Sequence, residues 1–215
     1  VAACRAKLEG RGRSAKLHLG DARRFGLDER YGMIFIGFHA ISEVLDDGDK
    51  LKVLRSVAAH LKDEGVFWVT LHNPVKRRAG LDGREIEIGT FDVPGTGERV
   101  RVTSECVYSA ENGMASGIQR YCCTRGGRQT RVIELPVRFH LIEPGRLDEL
   151  LSEAGFVVAR RLGNYDFGDW SAEESPFYIV CCRRGLGGDL GGWGGLLSGG
   201  VSGSFRGRAE AGRAG

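Results

Sequence analysis

The sequence predicts an α/β fold, an open sheet of largely parallel strands crossed by helices and interrupted by an antiparallel β insertion. Three observations predict it. Short apolar runs at residues 16–19, 33–38 and 66–71 carry one amphipathic helical stretch between the second and third. Runs this apolar, joined by a helical crossover, suit a parallel sheet covered on both faces. The first run ends in Gly20-Asp21-Ala22, and an acid just past a strand's carboxyl end is where open α/β sheets bind ligands. Between residues 76 and 139 the pattern changes to strict alternation, as in Glu85-Ile-Glu-Ile88 and Arg99-Val-Arg-Val102, which is the mark of antiparallel strands.

In chain order, residues 1–9 read as a helix with Cys4 and Leu8 on its inner side, ended by Gly10 and Gly12. Gly10-Arg-Gly-Arg-Ser14 follows a helix and precedes a strand, the reverse of the context a glycine-rich binding loop needs, so it reads as a turn. Asp46-Asp-Gly-Asp49 supplies N-caps and dipole-matched charge for the next helix. There Leu51, Leu54, Ala58 and Leu61 make one buried stripe, with Gly65 as its stop. In the alternating region the runs are separated by Pro94-Gly-Thr-Gly, Glu111-Asn-Gly and Arg125-Gly-Gly, all turn material. Pro144 sits at the first turn of a last helix, with Leu147, Leu150, Leu151 and Ala154 inward and Gly155 ending it. Phe156-Val-Val-Ala and Pro176-Phe-Tyr-Ile-Val-Cys-Cys182 then read as a closing antiparallel pair. From Gly185 onward glycine dominates, and such a segment buries too little apolar surface to offset its ordering entropy, so disorder is expected.

Composition narrows the function classes. A chain of 215 residues makes one domain, with room for an insertion. Its net charge of +3, from 31 basic and 28 acidic residues, is scattered without a basic block, which argues against a nucleic-acid partner. No apolar run approaches the roughly 20 residues that span a bilayer, and no signal-peptide pattern opens the chain, so no membrane partner and a cytoplasmic location are expected. The six cysteines include two adjacent pairs and no CxxC; they read as buried thiols in a reducing compartment, with no metal site.

Four stretches in order, Leu17-His-Leu-Gly-Asp-Ala-Arg-Arg-Phe, Tyr31-Gly-Met-Ile-Phe-Ile, Leu51-Lys-Val-Leu-Arg-Ser-Val-Ala-Ala-His-Leu-Lys-Asp-Glu-Gly-Val-Phe and Leu147-Asp-Glu-Leu-Leu-Ser-Glu-Ala-Gly-Phe156, resemble the second half of a class I S-adenosylmethionine-dependent methyltransferase. The resemblance covers roughly residues 1–184 and implies a Rossmann-like methyltransferase sheet, incomplete at the amino end. The family's glycine-rich cofactor loop and ribose-binding acid have no counterpart here, so an amino-terminally truncated piece of a longer enzyme is expected. The strands missing from the series would leave the runs at 16–19 and 33–38 with unpaired edges.

The resemblance further implies S-adenosylmethionine as cofactor, with Asp21 accepting from the adenine amino group, Ala22 offering backbone beside the ring and Phe38 bordering the crevice. The alternative is that Asp21 caps the turn Ala22-Arg-Arg-Phe25, a common role for Asp. His39 and His72, each at a strand end, are the first candidates for a general base, since imidazole titrates near neutrality; a plain strand-end histidine is the alternative for either. Asn73 and Arg138 are candidates for binding substrate, Arg138 by orienting an acidic one. The division expected is a partial core over 1–75, an antiparallel cover over 76–139 that selects the acceptor, the rest of the core over 140–184, and a tail over 185–215. The function this implies is methyl transfer to a small-molecule nucleophile, impaired in this chain. The rivals are a non-catalytic methyltransferase-like remnant that binds a partner, and a nucleotide-binding oxidoreductase with a similar sheet. Oligomeric state is not readable from the sequence.

Overall fold

The structure is a computed structural model that describes residues 1–185; the tail expected over 185–215 lies, beyond Gly185, outside the described residues. Its elements are α1 (Ala2–Glu9), β1 (Tyr31–Ile36), α2 (Asp47–His60), β2 (Leu61–His72), α3 (Pro74–Arg78), β3 (Asp82–Val93), β4 (Glu98–Ser109), β5 (Met114–Arg125), β6 (Arg128–His140), α4 (Pro144–Glu153), β7 (Phe156–Leu162) and β8 (Phe177–Arg184). They build two four-stranded sheets, one in the order β1-β2-β8-β7 and the other a simple meander β3-β4-β5-β6.

In the first sheet β1 and β2 are parallel, joined by the α2 crossover, while β8 runs antiparallel to both β2 and β7. This is the α/β class the sequence predicts. Alternation along β2 turns Phe67, Val69 and Leu71 to one face, where Tyr178, Val180 and Cys182 of β8 join them. Helices α2 and α4 cover that face with Val53, Leu54, Val57, Leu147, Leu150 and Leu151. The Asp46 carboxylate caps α2 by accepting from the Asp49 N–H at 3.0 Å. Burying each of these leucines is worth roughly 2 kcal/mol, which sets α2 and α4 as the fixed frame behind the strand ends.

Four expectations are corrected. The run at 16–19 belongs to no strand and Leu19 is 92% exposed, because no described strand lies beside it and an extended segment without a ladder partner is not a sheet member. The sheet is covered on one face only by described residues: Met33 and Phe35 of β1 remain exposed and border an apolar cleft of about 610 Å³ with Trp68, Ile179, Tyr165 and Phe167. Helix α1 buries no residue among those described, and its Cys4 is exposed. Gly65 is not the stop of α2. The helix ends at His60, Leu61 is already extended, and Gly65 lies inside β2, where a Cβ would come within 2.8 Å of the Leu61 side chain.

The meander turns where the glycines fall. Gly95, Gly97, Gly113, Gly126 and Gly127 all have positive φ, the backbone region that hairpin loops require and side chains disfavour. The run at 99–102 extends into one long strand, β4, because nothing beyond it breaks the β4–β5 ladder before Ser109. At the base of the meander Leu81, Cys106, Ala115 and Leu141 form a small second core against which Val137 and Phe139 pack. All six cysteines are free; Cys106, Cys123, Cys181 and Cys182 are buried and Cys4 is exposed.

Candidate functional site

At the carboxyl ends of the parallel pair the backbone does something unusual. After Gly37, Phe38 and His39 take consecutive left-handed conformations, with φ of 54° and 59°. Each costs a side-chain-bearing residue about 1–2 kcal/mol, and such outliers concentrate where function holds them in place. The double turn carries the His39 ring onto that of His72, which ends β2. The rings stack with centroids 3.4 Å apart and planes 28° from parallel. Phe177 backs both, at 5.7 Å from His39 and 6.1 Å from His72.

Helix α3 starts immediately after. Asn73 is its N-cap and Pro74 occupies its first turn, which brings Arg77 round toward the histidine pair. The far wall is the end of β6, residues 136–139, with Leu141. Phe38, His39, Ser42, Glu43, His72, Arg77 and Arg138 line the resulting cavity of about 500 Å³. The Arg77 guanidinium lies over the Phe139 ring, its Cζ 5.7 Å from the centroid, a cation–π contact that holds it in the wall. Its Nε is buried without an acceptor, as are His39 Nδ1 and Thr70 Oγ1.

The electrostatics follow from burial and crowding. Burial pushes the His72 pKa down to about 4, with the charges of His39 and Arg77 adding to the effect. Burial also lowers His39, the Thr70 backbone opposes this in part, and Arg77 lowers it further. Both rings are therefore neutral at pH 7, which is the state able to take a proton.

Behind the cavity a second polar cluster fixes β6 to the core. Lys50 of α2 is wholly buried, and its Nζ donates to Leu45 O at 2.9 Å, to Asp47 Oδ1 at 2.8 Å and to His140 Nδ1 at 2.7 Å. His140 is the last residue of β6. Burial, then the Lys50 charge, lowers its pKa, so it serves as a neutral acceptor for the lysine.

Four of the seven residues singled out in the sequence, Phe38, His39, His72 and Arg138, thus meet in one cavity. Asn73 does not line it. It is 1% exposed, its Nδ2 donates to Ala172 O at 2.7 Å and Ser175 O at 2.8 Å, and its Oδ1 accepts from Val75 N–H at 3.0 Å. Those bonds spend the amide on holding the 163–176 loop to α3. Asp21 and Ala22 lie outside the cavity as well. Asp21 caps the short turn Ala22–Arg24, and its carboxylate accepts from Arg23 Nε at 3.0 Å and Nη2 at 2.7 Å, which holds it far below the usual carboxylate range. Sequence reasoning passed over Arg77 and Lys50. Arg77 had a signal, one helical turn beyond the cap-and-proline pair Asn73-Pro74; Lys50 had none, since its polar head closes a contact 90 positions away. Among the described residues no cluster of His, Cys, Asp and Glu is arranged to hold a metal, and no helix is long and apolar enough to cross a membrane.

No protein-family model matches this chain, and no curated protein sequence does. Solved structures match it well. An S-adenosylmethionine-dependent methyltransferase from Clostridium acetobutylicum superposes with a TM-score of 0.71 at 14% identity, over 84% of this chain and 69% of that one. The CcbJ methyltransferase from Streptomyces caelestis gives 0.62 at 20% identity, over 78% and 63%. The sugar N-methyltransferase KedS8 from a Streptoalloteichus species gives 0.64 at 18%, over 86% and 68%. The chain spans about two thirds of each of these proteins. It has the α/β fold of the S-adenosylmethionine-dependent methyltransferases.

Proposed function

We propose that this protein transfers the methyl group of S-adenosylmethionine to a small-molecule nucleophile bound in the cavity between the strand ends and β6. The observation that carries the reading is the stacked pair His39–His72, held neutral at the carboxyl ends of the parallel strands, where open α/β sheets of this kind place their ligands. The fold's likeness to methyltransferases, one of them a sugar N-methyltransferase, supports the cofactor and the class of acceptor.

The cofactor, when bound, supplies an electrophilic methyl; alignment, exclusion of water and the fate of the acceptor's proton fall to the chain. His39 is the base in this reading, and His72, stacked against it and harder to protonate, keeps the pair from carrying two charges. Phe38, 93% exposed at the rim, borders the cofactor side. The β3–β6 meander covers the cavity and selects the acceptor through the end of β6. The described residues fit the cofactor only in part. Asp21 and Ala22 are available for the adenine, but the Asp21 carboxylate would have to share or release Arg23 to accept from an amino group. Six unpaired thiols are in keeping with a cytoplasmic site of action.

The second reading, a methyltransferase-like module without catalysis, is favoured by that Asp21–Arg23 pairing and by the unpaired 16–19 segment. Calorimetric titration of the protein with S-adenosylhomocysteine decides between them. Micromolar binding that weakens in Asp21→Ala is the outcome expected of the enzyme, and absence of binding at millimolar ligand removes the enzymatic reading for this chain as it stands.

A further inference from the structure

Among the described residues most arginines are paired with a carboxylate, and those that are not, Arg77 aside, are exposed. Arg120 is held by Glu85, Glu105 and Glu134, at 3.0, 3.0 and 2.7 Å. Arg146 is paired with Asp47 and Glu149, at 2.7 and 2.6 Å, and Arg78, the neighbour of Arg77, bonds Glu143 and lies over the Tyr108 ring. The two arginines of the cavity are not so paired. Among the described residues Arg77 and Arg138 form no ion pair and no side-chain hydrogen bond, and the Nε of Arg77 is buried with its hydrogen unaccepted. A buried donor without an acceptor costs about 1–3 kcal/mol, and a half-buried guanidinium lacking a carboxylate is a cost the fold meets at neighbouring positions by pairing. Among the described residues that line the cavity the one acid is Glu43, exposed and also unpaired, which leaves this lining with one net positive charge while both imidazoles are neutral.

From this we infer that the acceptor carries an anionic group, carboxylate or phosphoryl, which Arg77 and Arg138 grip from opposite walls of the cavity, one from α3 and the other from β6. Guanidinium is the side chain whose fork of N–H donors matches either anion in two-point contact. Reading the anion as part of the methyl acceptor rests on the methyl-transfer proposal above; the anion site itself rests on the cavity. Arg77 is also the cation that lowers both histidines. An anion on its guanidinium therefore lifts the basicity of the pair, so that docking the acceptor readies the base.

The test follows the imidazole nitrogens of His39 and His72 by long-range proton–nitrogen correlation while sodium pyrophosphate, sodium malonate or, as neutral control, glucose is added. Both rings are expected to shift and saturate with one or both anions and not with glucose, and the preferred anion identifies the group as phosphoryl or carboxylate. Arg77→Gln and Arg138→Gln should each weaken that binding about tenfold, Arg77→Lys should weaken it less, and Glu43→Gln should tighten it. Circular dichroism verifies that each variant is folded, and Arg138, exposed on its strand, is the variant safest in that respect. Rings that ignore both anions, or that respond in Arg77→Gln and Arg138→Gln just as they do in the parent protein, overturn the inference. S-Adenosylhomocysteine added to the same samples separates the two readings: its binding without an anion response sinks the anion site alone, and an anion response without its binding sinks methyl transfer and leaves the anion site standing.

Discussion

Replacing Lys50 with Met removes a buried cation at the joint between the meander and the core. The lysine head makes three bonds of 2.7–2.9 Å, to Leu45 O, Asp47 and His140, and its side chain is 0% exposed. Removing one partner of a buried pair costs about 3–5 kcal/mol, because the groups left behind stay desolvated. Asp47 still keeps Arg146 Nε at 2.7 Å, so the lower end applies. Methionine fills the volume of the lysine stem, and a cavity term adds little. The expected loss is about 3 kcal/mol, or a fall in Tm of roughly 6–12 °C for a domain of this size. His140→Phe removes only the acceptor and should cost about 1.5 kcal/mol. The double variant should fall short of the sum by about 1 kcal/mol, since the Lys50–His140 bond is lost only once. Urea and thermal unfolding of the four proteins measure all of this. A Lys50→Met protein within 1 kcal/mol of the parent, or strictly additive costs, would refute the view that this cluster ties the meander to α2.

Three further outcomes are expected. The His72 ring is neutral when folded, with its pKa at about 4 against an ordinary 6.5. The unfolded chain thus gains the proton first, and stability falls as pH drops from 6.5 toward 4, with no contribution from this ring above 6.5. Allowing for solvent that reaches the ring through the cavity mouth, the loss by pH 4 is about 2 kcal/mol; urea midpoints at pH 4.5 and 7.5 should converge in His72→Phe, and an unchanged pH dependence would count against the burial argument. Asn73→Ala deletes a cap and two bonds to loop carbonyls and should cost about 3 kcal/mol, with hydrogen exchange rising in residues 163–176; exchange that stays slow would mean the loop is held by something else. Phe38→Gly relieves a left-handed conformation at an exposed position. Relief and the added freedom of the unfolded chain nearly cancel, leaving stability within about 1 kcal/mol of the parent, so a loss beyond 2 kcal/mol would show that the Phe38 ring packs where the structure leaves it exposed.

What the sequence carries is local period, and what it lacks is the identity of whatever lies opposite. The α2 and α4 stripes, the Pro144 start and the glycine turns of the meander were legible because each depends on residues within one helical turn or one hairpin. The strand ends were legible for a related reason: apolar runs stop where polar residues begin, so His39, His72 and Phe38 could be placed at one rim before any pairing was known. Asn73 looked like a substrate ligand by the same logic and is a cap, because a position says where a residue sits and its partners decide what it does. The run at 16–19 has the composition of a strand and no ladder to join. Arg77 became visible only when β6 was placed against α3, and Arg138 gained its partner in the cavity by the same step.

The site is thus a property of the contact between the two sheets. The core contributes a strained turn and two neutral imidazoles, α3 contributes one arginine, and the meander contributes the other together with the phenylalanine that seats the first. Lys50 sets the distance between these parts by binding the last residue of β6 to the first turn of α2, behind the cavity and out of reach of any ligand. A change at Lys50 that leaves both sheets folded should therefore weaken anion binding at Arg77 and Arg138 without touching either arginine. The meander is in that case a wall whose position is set from the core.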